Sequence, residues 1–588
     1  MTQLNINLTA NKLILTFEYS PPLVNLIKEK MPFNLRKFKQ DPPAWEFYLI
    51  NQNAIDCFYS FLESAKALAM IKIDHMAKAF IIQKHNEFTA GVKLSQGMHS
   101  SIAPESIDLA MTIREYQRTA IEYISNHKHT FLADPVGTGK TVEILGTLQY
   151  LNGYSALIVM PSVAIGQWEK EIDKWLGKRR TYTILHTDNK NKNLNVDIIL
   201  TTYDMTKKYL MELQQIPFKA MILDESHYIK NKKTKRFQSL SELAKNKEII
   251  VLASATPLDR PADLIAQLEV MATFKPLFQS WKYYVERYCD AKKTRFGIDS
   301  TGASNVSELK DILRANCMIA RDKKEIMPEL PPTTRIPFTV PLSDRYTELY
   351  RKTLDDITEW YYEKSRYQLI SQIVNADLTP AQLSKIEAEA VKNAGRKPSI
   401  QAEALVRMNA LRQISGLGKL EFMKEWIDNF KETGEKLVIF VHHKPVMAKL
   451  LSFYPSSAFI DGGLSAENKG KQILKFWNDK ETQFIVCAIK ASGVSIDLQN
   501  ASNALFIEMW WTATAHTQCE GRLERHGQKN AMNMYYAIAE DNIPENTSID
   551  RQMYDIVMKK RETADSFKAK TGVKDILGIL KNIIEKNK

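Results

Sequence analysis

The sequence predicts an α/β protein of two lobes, each a parallel sheet flanked by helices, with a helical insertion and a small α+β module in front. Three observations predict it. Short apolar runs alternate with amphipathic helical stretches from Tyr116 onward and again from Lys436. Such alternation is the mark of parallel strands buried on both faces and joined by helices. Between these blocks, from about Leu342 to Leu420, the pattern is helical, charged and aromatic. The first seventy residues carry their own strand and helix signals.

The expected boundaries follow in order. Residues 1–70 form the module, with strands around Leu13–Tyr19 and Trp45–Ile50 and helices from Pro22 to Lys30 and Ala54 to Leu68. Residues 71–105 are polar, weakly patterned and read as a linker with a short helix. The first lobe spans 106–330, with apolar runs Thr130–Ala133, Ala156–Met160, Val196–Leu200, Ala220–Leu223 and Ile249–Leu252. Residues 331–420 read as a helical protrusion. The second lobe spans 421–545, with runs Lys436–Val441, Phe484–Ala488 and Ala504–Ile507. Residues 546–588 read as a tail, amphipathic from Asp555 onward, that braces the lobes.

Composition narrows the class. The chain has 588 residues, 44% hydrophobic and 25% charged, which are ordinary globular values. Its 22 glycines and 22 prolines are too few for a collagen-like or low-complexity chain. Five cysteines with no CxxC pair argue against a disulfide framework or zinc module and for a reducing compartment. No uncharged apolar run approaches ~18 residues and no leader pattern opens the chain, so no membrane partner is expected. The net charge of +12 points mildly to a polyanion.

The strongest motif is Leu132-Ala133-Asp134-Pro135-Val136-Gly137-Thr138-Gly139-Lys140-Thr141, after a strand and opening a helix. Backbone N–H groups of such a loop and the helix N-terminus cradle phosphate. Lys140 then reaches the β- and γ-phosphates and the Thr141 hydroxyl binds Mg²⁺. Further on, the strand Ala220–Leu223 ends in Asp224-Glu225-Ser226-His227. Asp224 can hold Mg²⁺ through water, and Glu225 can orient or activate the attacking water. Ser254-Ala255-Thr256 follows another strand and can link the site to a second ligand. In the second block, Arg522 and Arg525 are three apart and are expected on one helix face, suited to γ-phosphate charge. The run Lys230 to Arg236 is either a solvated face or a phosphate-contact strip, and Trp510-Trp511 is strand-end packing more than a stacking platform.

Together the motifs resemble the superfamily 2 helicase-like motors, specifically the Swi/Snf-type ATPases. The matching pieces are Tyr116-Gln117, the Asp134–Thr141 loop, Pro161 with Trp168 and Glu169, Thr201-Thr202-Tyr203, Asp224–His227, Ser254–Thr256, Arg321 with Leu330-Pro331, Gly493-Val494, and Gln518 through Gln528. Within that family the chain is most similar to the annealing helicases of the HARP type, on Arg287–Lys292, Gly302–Asn305 with Glu308-Leu309, and Phe440–Lys444. Residues 10–65 resemble the HARP accessory module.

The resemblance implies two RecA-like lobes and an ATP- and Mg²⁺-dependent translocase that tracks double-stranded or forked DNA and remodels or re-anneals branched DNA. It implies Gln117 as adenine reader, nucleotide contacts from Asp134, Gly137, Thr138, Gly139, Lys140, Thr141, Gly493 and Gln518, and arginine fingers at Arg522 and Arg525. Ser162, Thr202, His443 and Ser492 fall in motifs that line the DNA path of such motors. Ser495, Asp497, Gly521 and Leu523-Glu524 depart from the family pattern. A strand-separating helicase, the motor of a restriction or defence system, and a DNA-binding protein with a decayed ATP site are the alternatives. Expected partners are DNA and single-strand-binding or replication and repair proteins, with the chain itself monomeric. A compact chain rich in Lys, Asn and Ile fits the cytoplasm of a prokaryotic or phage-infected cell.

Overall fold

Period-two alternation builds the N-terminal sheet. Leu4 and Ile6 on β1 (Thr2–Thr9) and Leu13 and Leu15 on β2 (Lys12–Thr16) are fully buried, and the residues between them stay more open. In this computed structural model the described residues are 2–32, 35–49, 52–97, 99–185, 193–254, 261–294, 297–300, 302–365, 400–492, 496–540 and 548–562. They form two units, one of Met1–Pro135 and Gly139–Ile326, the other of Met327 onward with Val136–Thr138.

In the first unit, α1 (Pro21–Lys30), β3 (Arg36–Gln40), β4 (Pro43–Phe47), α2 (Gln52–Ala65), β5 (Ala69–Ile73) and α3 (His75–Gln96) complete the N-terminal module. The strand order is β3-β4-β2-β1-β5, antiparallel except for β1 with β5. The stretch 71–105, read from sequence as a linker with a short helix, holds the end of β5 and the long, 22-residue α3. Asp74 caps that helix by accepting from the Met76 and Ala77 amides. Its pattern looked weak because its buried residues serve two neighbours. Ala77, Phe80 and Ile81 join the module core, whereas Gly91 lies so close to Ala315 that a Cβ would come within 2.3 Å of the Ala315 carbonyl oxygen.

The first lobe is a seven-stranded, all-parallel sheet in the order β14-β6-β11-β10-β7-β9-β8. Its strands are β6 (His129–Leu132), β7 (Ala156–Met160), β8 (Tyr182–Leu185), β9 (Ile198–Thr202), β10 (Ala220–Asp224), β11 (Ile249–Ala253) and β14 (Met318–Ile319). A hairpin, β12 (Lys292–Thr294) with β13 (Gly297–Asp299), precedes β14. Ile158, Ile222 and Val251 are fully buried, as strands covered on both faces require. Three helices bear on the site: α4 (Glu115–His127), α5 (Lys140–Tyr150) and α6 (Ile165–Trp175).

The second unit holds a six-stranded parallel sheet ordered β15-β20-β19-β16-β18-β17. The strands are β15 (Thr333–Val340), β16 (Leu437–Val441), β17 (Ala458–Ile460), β18 (Phe484–Ala488), β19 (Asn503–Phe506) and β20 (Met532–Ala539). The stretch 331–420 is therefore not a separate protrusion where the structure describes it. β15 pairs with β20 over eight residues, and it tolerates Pro337 because it is an edge strand. Helices Asp344–Ser365 and Ile400–Gly418 bury Tyr350, Leu354, Ile357, Met408 and Leu411 in this lobe's core. The C-terminal helix begins at Ile549, earlier than expected, and runs to Glu562. It packs on the second lobe through Ile549 and Met553, and its Asp550 accepts from Lys419 at 2.5 Å and Ser415 at 2.9 Å. Among the described residues no helix is long and apolar enough to cross a membrane.

Glu520 ties this lobe together. Its buried carboxylate accepts from Arg335 at 2.7 Å, Arg561 at 2.7 Å and the Tyr536 hydroxyl at 2.6 Å. Burial alone would raise its pKa; the charges of Arg561 and Arg335 outweigh burial and hold it down to about 2. A depressed acid stabilises the fold above its unfolded pKa and loses that contribution as pH falls through the folded one. Glu520→Gln is therefore expected to cost roughly 3 kcal/mol at pH 7. The melting-temperature gap to wild type stays constant down to about pH 4.5 and closes toward pH 2. A gap that does not change with pH would show that packing, not charge, makes the difference.

Candidate nucleotide site

Parallel strands deliver their following loops to one edge of the sheet. At the carboxyl edge of the first lobe, β6 runs into the loop 133–139, β11 into Ser254, β10 into Asp224, β7 into Ser162 and β9 into Tyr203. The order β6-β11-β10-β7-β9 places the phosphate-loop motif, the acidic pair and both first-lobe residues expected on the DNA path along a single edge.

The loop has the backbone that its sequence required. Gly137 and Gly139 have φ of +85° and +89°, a region costly for residues with a Cβ. Gly139 also starts α5, and a Cβ there would lie 2.5 Å from the Gln117 side-chain nitrogen. Gln117, on α4, is buried and accepts from the Arg114 amide at 3.0 Å. It thus stands beside the loop. The Lys140 ammonium donates to the carbonyls of Asp134 (2.8 Å) and Pro135 (2.9 Å). Burial lowers its pKa, and Glu225, Asp134 and Asp224 act against that as the nearest negative charges. Thr141 follows in the first turn of α5, half-buried.

Asp134 needs correcting. It was expected among the nucleotide contacts, but its carboxylate is fully buried against Arg321. The Arg321 guanidinium also reaches Glu143 on α5 at 3.3 Å, and it donates to the Tyr116 carbonyl at 2.6 Å. Both acids and the arginine have no exposed side-chain surface. Burial, and then Asp134, push the Glu143 carboxyl up to about 8. The Asp134 group bonded to Lys140 is its carbonyl.

The acidic pair lies at the end of β10. Glu225 follows it in a left-handed conformation, φ +53°, which turns the chain sharply into the Ser226–Ile229 turn. Burial and the adjacent Glu225 push Asp224 up to about 6. Its two carboxylate oxygens accept from the Glu225 amide at 3.0 Å and the Trp168 indole at 2.9 Å, and its carbonyl accepts from the Tyr203 hydroxyl at 2.7 Å. His227 Nδ1 lies 3.2 Å from the Glu225 carboxylate. The Ser226 hydroxyl donates to Gln267 at 2.8 Å. Ser254 is buried, with its amide on the Leu132 carbonyl at 3.1 Å; Ala255 and Thr256 lie outside the described residues. The roles of Trp168, Tyr203 and Arg321 were not readable beforehand, although all three sit in quoted motifs, because their partners are 56, 21 and 187 residues away.

In the second lobe the arginine pair does not share a helix face. The helix Ala513–Glu520 ends before it, and 521–527 are turns closed by Gly527 at φ +99°. The backbone winds on beyond Glu520, with the Leu523 and Glu524 amides donating to the Glu520 carbonyl at 2.9 and 3.0 Å. Arg522 is buried and Arg525 donates to the Gly521 carbonyl at 3.1 Å. Gln518 is half-buried on that helix. Gly493, Val494 and Ser495 lie outside the described residues, and Ser492 is placed only as backbone at the end of the helix Ile489–Ser492. His443 is corrected as well. It is buried, with Nδ1 on Glu508 and Nε2 3.0 Å from Asn409, so its ring supports the lobe and does not face a DNA path. His442 packs on Trp510, 4.5 Å between ring centres, and Arg412 stacks on both Trp510 and Trp511, which is packing as expected for that pair.

A model described as "SNF2-related domain" matches residues 116–415, and one described as "Helicase conserved C-terminal domain" matches 418–527. The chain belongs to the SNF2-related family. Its two lobes are parallel sheets flanked by helices. Among its curated relatives, "SWI/SNF-related matrix-associated actin-dependent regulator of chromatin subfamily A-like protein 1" of Xenopus laevis is 26% identical over 533 residues, covering 89% of this chain and 50% of the relative. "DNA annealing helicase and endonuclease ZRANB3" of Homo sapiens is 27% identical over 473 residues, covering 77% of this chain and 40% of the relative. This SNF2-family chain thus spans about half the length of the curated relatives it matches, or less. The "Sulfolobus solfataricus SWI2/SNF2 ATPase core in complex with dsDNA" is similar at 20% identity with a TM-score of 0.36, covering 82% of this chain and 99% of that one.

Proposed function

We propose that this chain is a DNA-dependent ATPase that moves along double-stranded or forked DNA and remodels or re-anneals branched DNA. One observation carries the reading: an exposed pair of unneutralised lysines lies on the same sheet edge as the acidic pair. Lys207 follows β9, Lys235 follows the Asp224 turn, and the Lys235 ammonium is the largest cause of the lowered Lys207 pKa. The basic run beside them is only partly free for phosphate. Lys230 lies 3.9 Å from Asp263, Lys232 pairs with Glu269, and Arg236 is bidentate on Asp204. Like charges held together on a surface without a mutual counterion suit a polyanion. Ser162, exposed after β7, and Thr202, at the end of β9, are the other first-lobe residues assigned to that path.

For the nucleotide, Lys140 binds the β- and γ-phosphates, Gln117 meets the base, and Glu225 takes the proton of the attacking water. Magnesium fits the donor set, since two adjacent acids share one buried patch beside a single lysine. Thr141 and Asp224 would hold it, and when bound it neutralises phosphate charge. Arg522 and Arg525 are assigned the arginines that meet the γ-phosphate during turnover.

The N-terminal module is proposed as the HARP-like part that reads DNA structure. Its helices α1–α3 cover one sheet face. The other presents Lys37, Lys39, Lys12 and Lys72 with Gln3, Asn5 and Asn7. The acid on that face, Glu46, is buried beneath Lys12 and Lys39 and accepts from Tyr48 at 2.7 Å. The test is ATP turnover with no nucleic acid, RNA, single strands, blunt duplex and forked DNA, alongside strand-annealing and strand-displacement assays. Duplex and fork are expected to stimulate most, with annealing and without processive displacement. Lys140→Ala is expected to lose turnover and keep DNA binding, and Lys37→Glu with Lys72→Glu to lose the preference for forks. Stimulation by single strands or RNA alone, with displacement, would replace this reading with a strand-separating helicase.

A further inference from the structure

We propose that Trp168 and Tyr203 are positioning residues that couple the nucleic-acid edge of the first lobe to the nucleotide site by holding Asp224 from two sides. This rests on the DNA-motor reading above.

Two separate stretches of chain run from that edge to one residue. After β7, the chain passes through exposed Ser162 into α6, whose Trp168 is buried and donates its indole proton to the Asp224 carboxylate at 2.9 Å. After β9, it passes through Thr202 to Tyr203, buried, whose hydroxyl donates to the Asp224 carbonyl at 2.7 Å. The Tyr203 ring also stacks on Tyr228, with centres 5.2 Å apart and planes within 11°. Tyr228 lies in the turn that follows Glu225, so Tyr203 touches that turn as well as the strand before it. Tyr228 in its turn lies under Arg236, at 5.7 Å, at the start of the basic helix.

Simple anchoring of α6 does not require this geometry. Ile172 and Leu176 already bury that segment in the lobe, and an indole N–H is satisfied by any nearby carbonyl. Here it is spent on the carboxylate assigned to the metal. The second oxygen of that carboxylate is held by the Glu225 amide, so its rotation is fixed by one partner on α6 and one on its own turn. Trp and Tyr have two side-chain torsions each and transmit a shift of their backbone with little slack. A small movement of α6 or of the loop after β9, on engaging a phosphate backbone, therefore moves the carboxylate that organises ATP, and misplacement by about 1 Å is worth up to ~10²-fold in rate.

Coupling between two ligands is reciprocal and is read as a ratio of affinities. The experiment measures the affinity of the full chain for a fluorescent non-hydrolysable ATP analogue, with and without saturating duplex DNA. The same is done for Trp168→Phe, Tyr203→Phe, the double variant, and Trp175→Phe as a control for loss of a tryptophan on α6. Wild type is expected to show a ratio of about 5-fold or more. Each single variant brings the ratio close to one while nucleotide affinity without DNA stays within about threefold. The double variant does no more than either single one, because both act through Asp224. Trp175→Phe keeps the wild-type ratio. Tyr203→Phe removes a single oxygen, so it carries the test should Trp168→Phe fail to fold. If wild type couples and both single variants couple equally well, this inference is overturned and the motor reading stands. If wild type itself shows no coupling with any DNA, the motor reading fails, and this inference with it.

Discussion

Glu225→Gln is expected to lower ATP turnover by about 10²–10⁴-fold while leaving nucleotide affinity within a few-fold of wild type. The amide has the shape of the carboxylate but cannot take a proton from water. The backbone there is already committed: φ of +53° turns the chain out of β10 into the Ser226–Ile229 turn. Asp224 is not free to substitute. Its oxygens are engaged by the Glu225 amide and the Trp168 indole, and both contacts survive the substitution because the first uses only the backbone of 225 and the second does not involve it. Single-turnover hydrolysis in the presence of duplex DNA, with analogue binding measured in parallel, checks this. Turnover within threefold of wild type would remove Glu225 from the role of base and leave the water to be activated elsewhere.

Arg321→Ala is expected to destabilise the first unit by about 3–5 kcal/mol, more than any surface change in the chain. Asp134 and Glu143 have no exposed side-chain surface, and Arg321 is the cation that both of them touch. Removing it strands a carboxylate in the interior and deletes the bond to the Tyr116 carbonyl and the stacking on the Tyr116 ring, 5.4 Å away. Arg321→Lys keeps the charge but not the fork, so it recovers only part of the loss. Arg321→Met with Asp134→Leu removes both charges together and is expected to recover most of it. Urea unfolding followed by tryptophan fluorescence reads all three. A loss below about 1 kcal/mol for Arg321→Ala would mean that water reaches the cluster and satisfies Asp134 without the arginine.

The two predictions differ in how much of their basis could be read beforehand. Glu225 was legible because phosphate chemistry demands its residue types at close spacing: a glycine loop and lysine before a helix, then a pair of acids after an apolar strand. Both lie within a few residues of a strand end, and parallel strands always present those ends together. Arg321 was visible as part of a motif, yet its partner Asp134 was misread as a nucleotide contact. Nothing local in Ala133-Asp134-Pro135 says that the carboxylate turns inward to a residue 187 positions away. Similarly, the spacing of Arg522 and Arg525 fits a helix face, but the regular helix ends at Glu520, before either arginine.

The larger elements follow the same division. The two blocks of alternating apolar runs became two parallel sheets, since a run of Ile, Val and Leu covered on both faces has no other comfortable place. The weakly patterned stretch after residue 70 became β5 and α3 only because β1 offered an edge to pair with and Ala315 a surface close enough to need Gly91. The edge strand β15, interrupted by Pro337, carries too mixed a pattern to be read as part of a sheet until β20 lies beside it.

By itself, then, the sequence determined the two-lobe α/β architecture and the family, and it singled out the lysine and acidic pair proposed for the nucleotide, because each rests on short-range periodicity or on residues adjacent along the chain. Tertiary structure alone decided which charges are spent inside the fold, as with Asp134, Glu143, His443 and Glu520, and which hydrogen bonds hold Asp224. A buried charge must find its counterion wherever packing brings one, and that distance is set in space, not along the chain.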